Sequence, residues 1–463
     1  MKTCLLIFLF VFTTNIFADD KVYIKVGDAN IKRSLLALTP LQFYGSPAIY
    51  PAYQKVGQDL YSTIYNDLDV SSYFTFVSAS AFLEDPLKVG LKPNTQDKEN
   101  GFDFAKWSAI NTEFLVKSGF RFEGDTVEVT AFVYHVPTNK LVFGKEYKNT
   151  KGFVNKIAHR LANDVLEYLT GKRGMFESRV VLSSDRGGNQ HKEIFIMDWD
   201  GNNVTQLTDH KTISISPTWS PDNKKIAYTS FAWHAKWNSR NADLFLFDIK
   251  SGTRKVLSSY KGINSGAAFT AEGDILLTVS KTEGIPDIFR INQEGKVLEQ
   301  LTTGPTRAMN VEPAVSPDDQ RVAFSSDRSG RPMIYVMDLK AKKRNPMRVV
   351  FSGWYNSTPT WSPDSKRIAF AGFDKDLKHF DIFLMDADGH NLSRLTTAKK
   401  FRDDKYSNNE DPTFSPDGRH VMFISDRTGK KQVYIVNVDG SNERRITFDR
   451  FNYYKPKWST NID

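Results

Sequence analysis

The sequence predicts an α+β, multi-domain chain. A small N-terminal α/β domain is followed by an all-β six-bladed β-propeller, closed by pairing of its N- and C-terminal strands. Three observations predict this. Ser-Pro-Asp recurs at Ser220, Ser316, Ser362 and Ser415, with degenerate copies at Thr270-Ala271-Glu272 and Ser459-Thr460-Asn461, at steps of 50, 46, 46, 53 and 44 residues. Each interval contains strand-sized runs, and a period of this length with such runs marks a propeller blade. The two ends of the array also complement each other. Residues 180–186 (VVLSSDR) match the second strands at 322–328 (VAFSSDR) and 421–427 (VMFISDR), whereas Lys457-Trp458-Ser459 matches a first strand. One blade is therefore expected to draw strands from both ends, which removes the open edges of a linear array.

Residues 1–18 read as a cleaved leader. Lys2 supplies a positive start, Leu5 to Phe12 are almost wholly apolar, and Ala18 precedes Asp19, the expected cleavage point. Cys4 is the only cysteine and lies before the apolar run, so no lipid attachment is expected, and the processed chain would carry no thiol. No later run is long and apolar enough to cross a bilayer. Together these features predict export from the cytoplasm.

Residues 19–170 carry no blade pattern. Val22, Ile24 and Val26 alternate with Tyr23 and Lys25, an edge-strand pattern. Leu35 to Leu38 is a second apolar run. Pro51 opens a helix with Tyr53, Val56, Leu60 and Ile64 on one face. Strands are expected at 114–116, 127–133 and 141–146, then a helix with Val154, Ile157, Leu161, Val165 and Leu169 at 3–4 spacing, stopped by Gly171. Residues 171–178 form the linker, and the propeller occupies 179–463.

Within the repeat, Thr360-Trp361-Ser362 reads as a short strand, Pro363 to Lys366 as a turn, 367–371 and 381–386 as strands, Asp388-Gly389 as a hairpin and 392–396 as the outer strand. Proline stands two places before the aromatic or valine of the first strand at Pro217, Pro313, Pro359, Pro412 and Pro456; Ala267 replaces it once. The repetition of Ser-Pro-Asp argues for a scaffold role, since a catalytic group is usually needed once.

The composition excludes several functions. Lys and Arg number 62 against 54 acids, a net charge of +8, scattered without a basic block of nucleic-acid type. No Gly-x-Ser-x-Gly elbow occurs, and the eight histidines are dispersed without a ligand-pair spacing. No catalytic residue, metal site or cofactor is therefore expected, and the chain is expected not to be an enzyme.

Binding residues are expected where the loops enter the innermost strands. These carry Ile215, Ile263, Asn264, Asn310, Val311, Glu312, Asn356, Ser357, Asn409, Glu410 and Asp411. Recurrent asparagine there fits either contact or tight turns. The acids would attract a polypeptide loop bearing Lys or Arg. A second site is expected at Lys21, Val22, Tyr23, Ile24, Lys25, Val26 and Gly27, within 21–34, a segment able to add itself to another protein's sheet edge. The rival reading is a periplasmic propeller that binds or cleaves oligosaccharides, with Trp354, Tyr453 and Tyr454 as sugar platforms.

The segment 106–116 (KWSAINTEFLV), the helix ending in 169–176 (LTGKRGMF) and the six blades together resemble the TolB family of the Tol–Pal envelope system. The resemblance covers essentially the whole chain after the leader. It implies a non-enzymatic, monomeric periplasmic adaptor. The propeller mouth would receive Pal, the peptidoglycan-associated outer-membrane lipoprotein, and the N-terminal segment would engage TolA, which links to the inner membrane. The implied role is outer-membrane integrity and constriction at cell division.

Overall fold

Residues 33–46, 50–94, 100–188, 191–235, 238–282, 284–376, 378–401 and 405–461 are described in the structure, a computed structural model. The leader, Ala18 and Asp19, and the segment Lys21 to Gly27 lie outside the described residues. Contacts divide the chain into two compact units, Met1–Lys172 and Arg173–Asp463. No described helix is long and apolar enough to cross a membrane.

The first unit runs β1 (Ser34–Leu38), β2 (Gln42–Phe43), α1 (Tyr50–Val70), β3 (Phe74–Phe76), α2 (Phe104–Ser108), β4 (Phe114–Glu123), β5 (Thr126–His135), β6 (Lys140–Thr150) and α3 (Val154–Thr170). The sheet order is β3-β1-β4-β5-β6, with β2 also paired to β4. Ala37, Leu115 and Tyr134 stand in register across it and share a core with Phe102 and Trp107. The helix periodicity holds in space: Leu60 and Ile64 of α1, and Ile157, Leu161, Val165 and Leu169 of α3, are buried. α1 and α3 pack together, and His159 Nδ1 lies 2.7 Å from Asp67 Oδ2 between them. Gly171 ends α3 at φ +69°, its N–H donating to the Glu167 carbonyl.

The second unit is the expected six-bladed propeller. Blades one to five span Ser214–Ser258, Asn264–Gln300, Asn310–Arg348, Tyr355–Arg394 and Asn409–Arg445, each a four-stranded antiparallel meander. Blade six takes its inner strand, Tyr453–Asn461, from the C-terminus and three strands from Ser178–Gln206. Each inner strand touches the next, and the last touches the first, so the ring is closed. A hairpin of Lys400–Phe401 with Lys405–Tyr406 lies between blades four and five, and accounts for the long 53-residue step.

The Ser-Pro-Asp turns are scaffold. The Ser hydroxyl donates to the Asp carboxylate at 2.5–2.6 Å in all four copies. The same oxygen accepts the N–H of Lys225, Arg321, Arg367 or His420 at 2.9–3.0 Å, closing the turn. The degenerate copy at 270–272 keeps the turn through Gly273 at φ +93°. Tryptophans then tie neighbouring blades: Trp361 Nε1 donates to the Ala314 carbonyl and Trp219 Nε1 to that of Lys457, both at 2.9 Å.

The Ser220 hydroxyl holds the Asp222 carboxyl below its ordinary range. Burial pushes Asp318, Asp364 and Asp417 upward, but hydrogen bonds from the serine and the turn backbone, with His420 beside Asp417, outweigh it. Carboxylates depressed on folding stabilise the fold above about pH 4, and that contribution disappears as pH falls through the folded values. Changing these four aspartates to asparagine is expected to lower the urea midpoint at neutral pH and to flatten its decline below about pH 4. Parallel pH profiles for the two proteins would contradict this assignment.

Candidate partner-binding mouth of the propeller

Every inner strand carries the same irregularity. Ser216, Glu312, Thr358, Asp411 and Lys455 adopt left-handed conformations at φ +48° to +56°, and Gly266 at +65°, each immediately before the repeated Pro or Ala267. The register slips at each of these points, for example between Val311 and Ala314. Six equivalent β-bulges therefore ring the axis, re-aiming one side chain per blade.

Three of these residues form a charged floor. Lys455 Nζ lies 2.9 Å from Glu312 Oε1 and 3.0 Å from Asp411 Oδ1. Glu312 belongs to blade three and Lys455 to blade six, which face each other across a ring of six. Glu312 also accepts the Thr358 N–H at 2.9 Å. Burial opposes charge on Lys455, but Asp411 and Glu312 overcome it and raise its pKa. Asp411 is conversely driven up by burial and down, on balance, by Lys455. Above this floor, Lys431 Nζ sits 2.6 Å from Glu410 Oε2.

The acids expected to draw in a cationic loop are thus already engaged within the chain. Glu312 and Asp411 share Lys455, and Glu410 pairs with Lys431, so three carboxylates face two lysines in these pairs.

The asparagines also have a structural task. Asn264, Asn310, Asn356 and Asn409 are buried and reach toward the preceding blade. Asn310 Nδ2 donates to Asp287 Oδ1 at 2.7 Å and Asn409 Nδ2 to Asp381 Oδ1 at 2.6 Å. Asn264 Nδ2 donates to the Ala242 carbonyl, and Asn356 Nδ2 lies 3.1 Å from Met333 Sδ. Ser357 is buried as well, whereas Ile215 and Val311 are half-buried. The Ser-Asp-Arg ends of the second strands complete this frame. Asp327, Asp426 and Asp185 accept the N–H of Met309, Asn408 and Asn452 at 2.7–2.8 Å. Arg427 donates to Asn409 Oδ1 at 2.9 Å.

What the mouth offers a partner is apolar. The residue just before the buried position is Ile213, Ile263, Met309 and Tyr355 in blades one to four, 40%, 40%, 43% and 40% exposed. In blades five and six it is Asn408 and Asn452, each bonded to an aspartate. The opening is thus asymmetric, with an apolar crescent over four consecutive blades. Of the crescent, only Ile263 was legible as a site residue; Ile213, Met309 and Tyr355 stand just before Ser214, Asn310 and Asn356. Of the expected sugar platforms, Tyr453 is buried and Tyr454 carries Lys192 at 3.8 Å from its ring centre, whereas Trp354 is 41% exposed with Arg331 at 3.7 Å over its ring.

Comparison with known proteins agrees with this architecture. The TolB amino-terminal domain model matches residues 22–142, and the TolB beta propeller domain model matches 166–404 and 356–463. A TolB homolog from Chlorobium chlorochromatii is 30% identical over 314 residues, covering 68% of this chain and 66% of that protein. A Tol-Pal system protein TolB from Syntrophotalea carbinolica is 34% identical over 200 residues, 43% of each. The chain thus spans less than two thirds of the length of these curated relatives. The crystal structure of TolB from Acinetobacter baumannii superposes with a TM-score of 0.72 at 22% identity, covering 95% of this chain and 99% of that one, a likeness of fold. With both domain models matched in the expected order, the chain belongs to the TolB family.

Proposed function

We propose that the chain is a periplasmic, non-enzymatic adaptor of the Tol–Pal system. The propeller mouth binds a Pal-like, peptidoglycan-associated outer-membrane lipoprotein, and the segment 21–34 engages a TolA-like protein linked to the inner membrane. The function supported is outer-membrane integrity and constriction at division. The observation that carries this reading is the exposed crescent of Ile213, Ile263, Met309 and Tyr355 above a floor closed by Lys455 and Glu312. Exposed apolar residues on four consecutive blades suit a folded polypeptide, whose apolar anchors displace water there. The paired floor residues serve as a fixed, hydrogen-bonded base.

Pull-down from a Gram-negative envelope extract tests both contacts. The full-length protein is expected to retain an outer-membrane lipoprotein and a TolA-like protein. Deleting residues 19–34 is expected to lose only the latter. Ile263→Asp with Met309→Asp is expected to weaken lipoprotein capture roughly 100-fold or more, since central interface residues contribute about 2 kcal/mol or more each. Equal capture by all three proteins would overturn the assignment.

A further inference from the structure

Acids of the mouth are engaged within the chain, whereas several of its cations are not. Glu312, Glu410 and Asp411 pair with lysines, and Asp185, Asp327 and Asp426 accept backbone N–H groups. Lys281, Arg331 and Lys375 are exposed and meet no carboxylate in an ion pair among the described residues.

These cations are held on aromatic rings beside the apolar crescent. Arg331 follows the second strand of blade three, and Lys375 follows that of blade four. Both reach Trp354, with Arg331 Cζ at 3.7 Å and Lys375 Nζ at 4.9 Å from its ring centre. Trp354 is exposed and immediately precedes Tyr355 of the crescent. Blade two repeats the arrangement. Lys281, at the end of its second strand, lies 4.9 Å from the ring centre of the exposed Tyr260, three residues before Ile263.

A guanidinium stacked on a ring keeps its N–H edge free, and that edge matches a carboxylate. The ring also restrains a long side chain before binding, which lowers the ordering cost of a later contact. Each ledge stands on the same loop as a crescent residue. A folded surface that fills the crescent therefore places its flanking side chains on the ledges, where opposite charge is complementary.

We propose that the partner surface seated on the crescent is acidic at its margin, with Asp or Glu side chains meeting Arg331 and Lys375 on blades three and four and Lys281 on blade two. The proposal rests on the reading of the mouth as a lipoprotein-binding site and specifies the chemistry of that lipoprotein's contact surface.

The probe is the soluble domain of the peptidoglycan-associated lipoprotein encoded in the same genome, made without its lipid. Arg331→Glu with Lys375→Glu is expected to weaken its binding to the full-length protein about tenfold or more at low salt, chiefly through slower association, and the difference is expected to shrink as salt rises. Lys250→Glu with Lys255→Glu, the same change of charge at the opposite end of blade one, is expected to have little effect. Carbodiimide joins an amine to a touching carboxylate as an amide, with loss of water. It is expected to link Lys375 to an Asp or Glu of the lipoprotein domain, and the link is expected to vanish in Lys375→Arg while binding persists. Binding by the Arg331→Glu, Lys375→Glu protein equal to that of the unmodified protein, or equal weakening by the Lys250→Glu, Lys255→Glu pair, would overturn the acidic margin. If Ile263→Asp with Met309→Asp still weakens binding in that case, the lipoprotein reading stands and only the margin falls. No binding of the domain to the unmodified protein would overturn both.

Discussion

Deleting residues 455–463 is expected to abolish the single cooperative unfolding transition of the propeller and to leave an aggregation-prone protein. The strand Tyr453–Asn461 is the inner strand of blade six and pairs with Ser178–Ser184. Trp458, buried, donates from Nε1 to Ser178 Oγ at 2.7 Å, and Ser459 Oγ accepts the Arg179 N–H at 2.8 Å. Without this strand, Ser178–Ser184 becomes a bare sheet edge beside an opened core. Even Trp458→Ala alone should cost about 3–5 kcal/mol, a fall in Tm on the order of 10 °C for a domain of this size. Calorimetry with size-exclusion analysis checks both. Unchanged melting of the truncated protein would show that the ring is not closed through its C-terminus.

Asp381→Ala is expected to destabilise the propeller by about 3–5 kcal/mol, the usual result of removing one member of a buried charged cluster. The Asp381 side chain is buried. It accepts hydrogen bonds from Arg394, Asn409, Thr396 and the Ala398 N–H, and lies 3.0 Å from His379 Nε2. Asn409→Ala removes only the inter-blade arm and should cost about 1 kcal/mol. Urea denaturation of both variants gives the comparison. A near-neutral Asp381→Ala would show that Asn409 is not held in place by the preceding blade.

The repeat was legible because it is local. Ser-Pro-Asp encodes its own turn within five residues, and the complementary ends at 180–186 and 457–459 match internal strands in sequence. The two long helices were legible from their periodicity, whereas β3 and α2, of three and five residues, are too short to show one. The mouth was harder to read because its logic is long-range. Glu312 reads as a free acid until Lys455, 143 residues away, is placed beside it. Asn310 reads as a turn residue until Asp287 of the preceding blade is seen to receive its amide. The six bulges left no common side-chain signature, since serine, glycine, glutamate, threonine, aspartate and lysine all occupy the left-handed position.

Site-specific photo-crosslinking in envelope extract tests the central claim most directly. A photoreactive residue at Met309, in the apolar crescent, is compared with one at Lys250, in an exposed turn between the third and fourth strands and hence at the opposite end of the ring. The expected result is an outer-membrane lipoprotein crosslinked through position 309 and none through 250. Equal labelling from both positions, or labelling through 250 alone, would contradict a mouth that grips its partner.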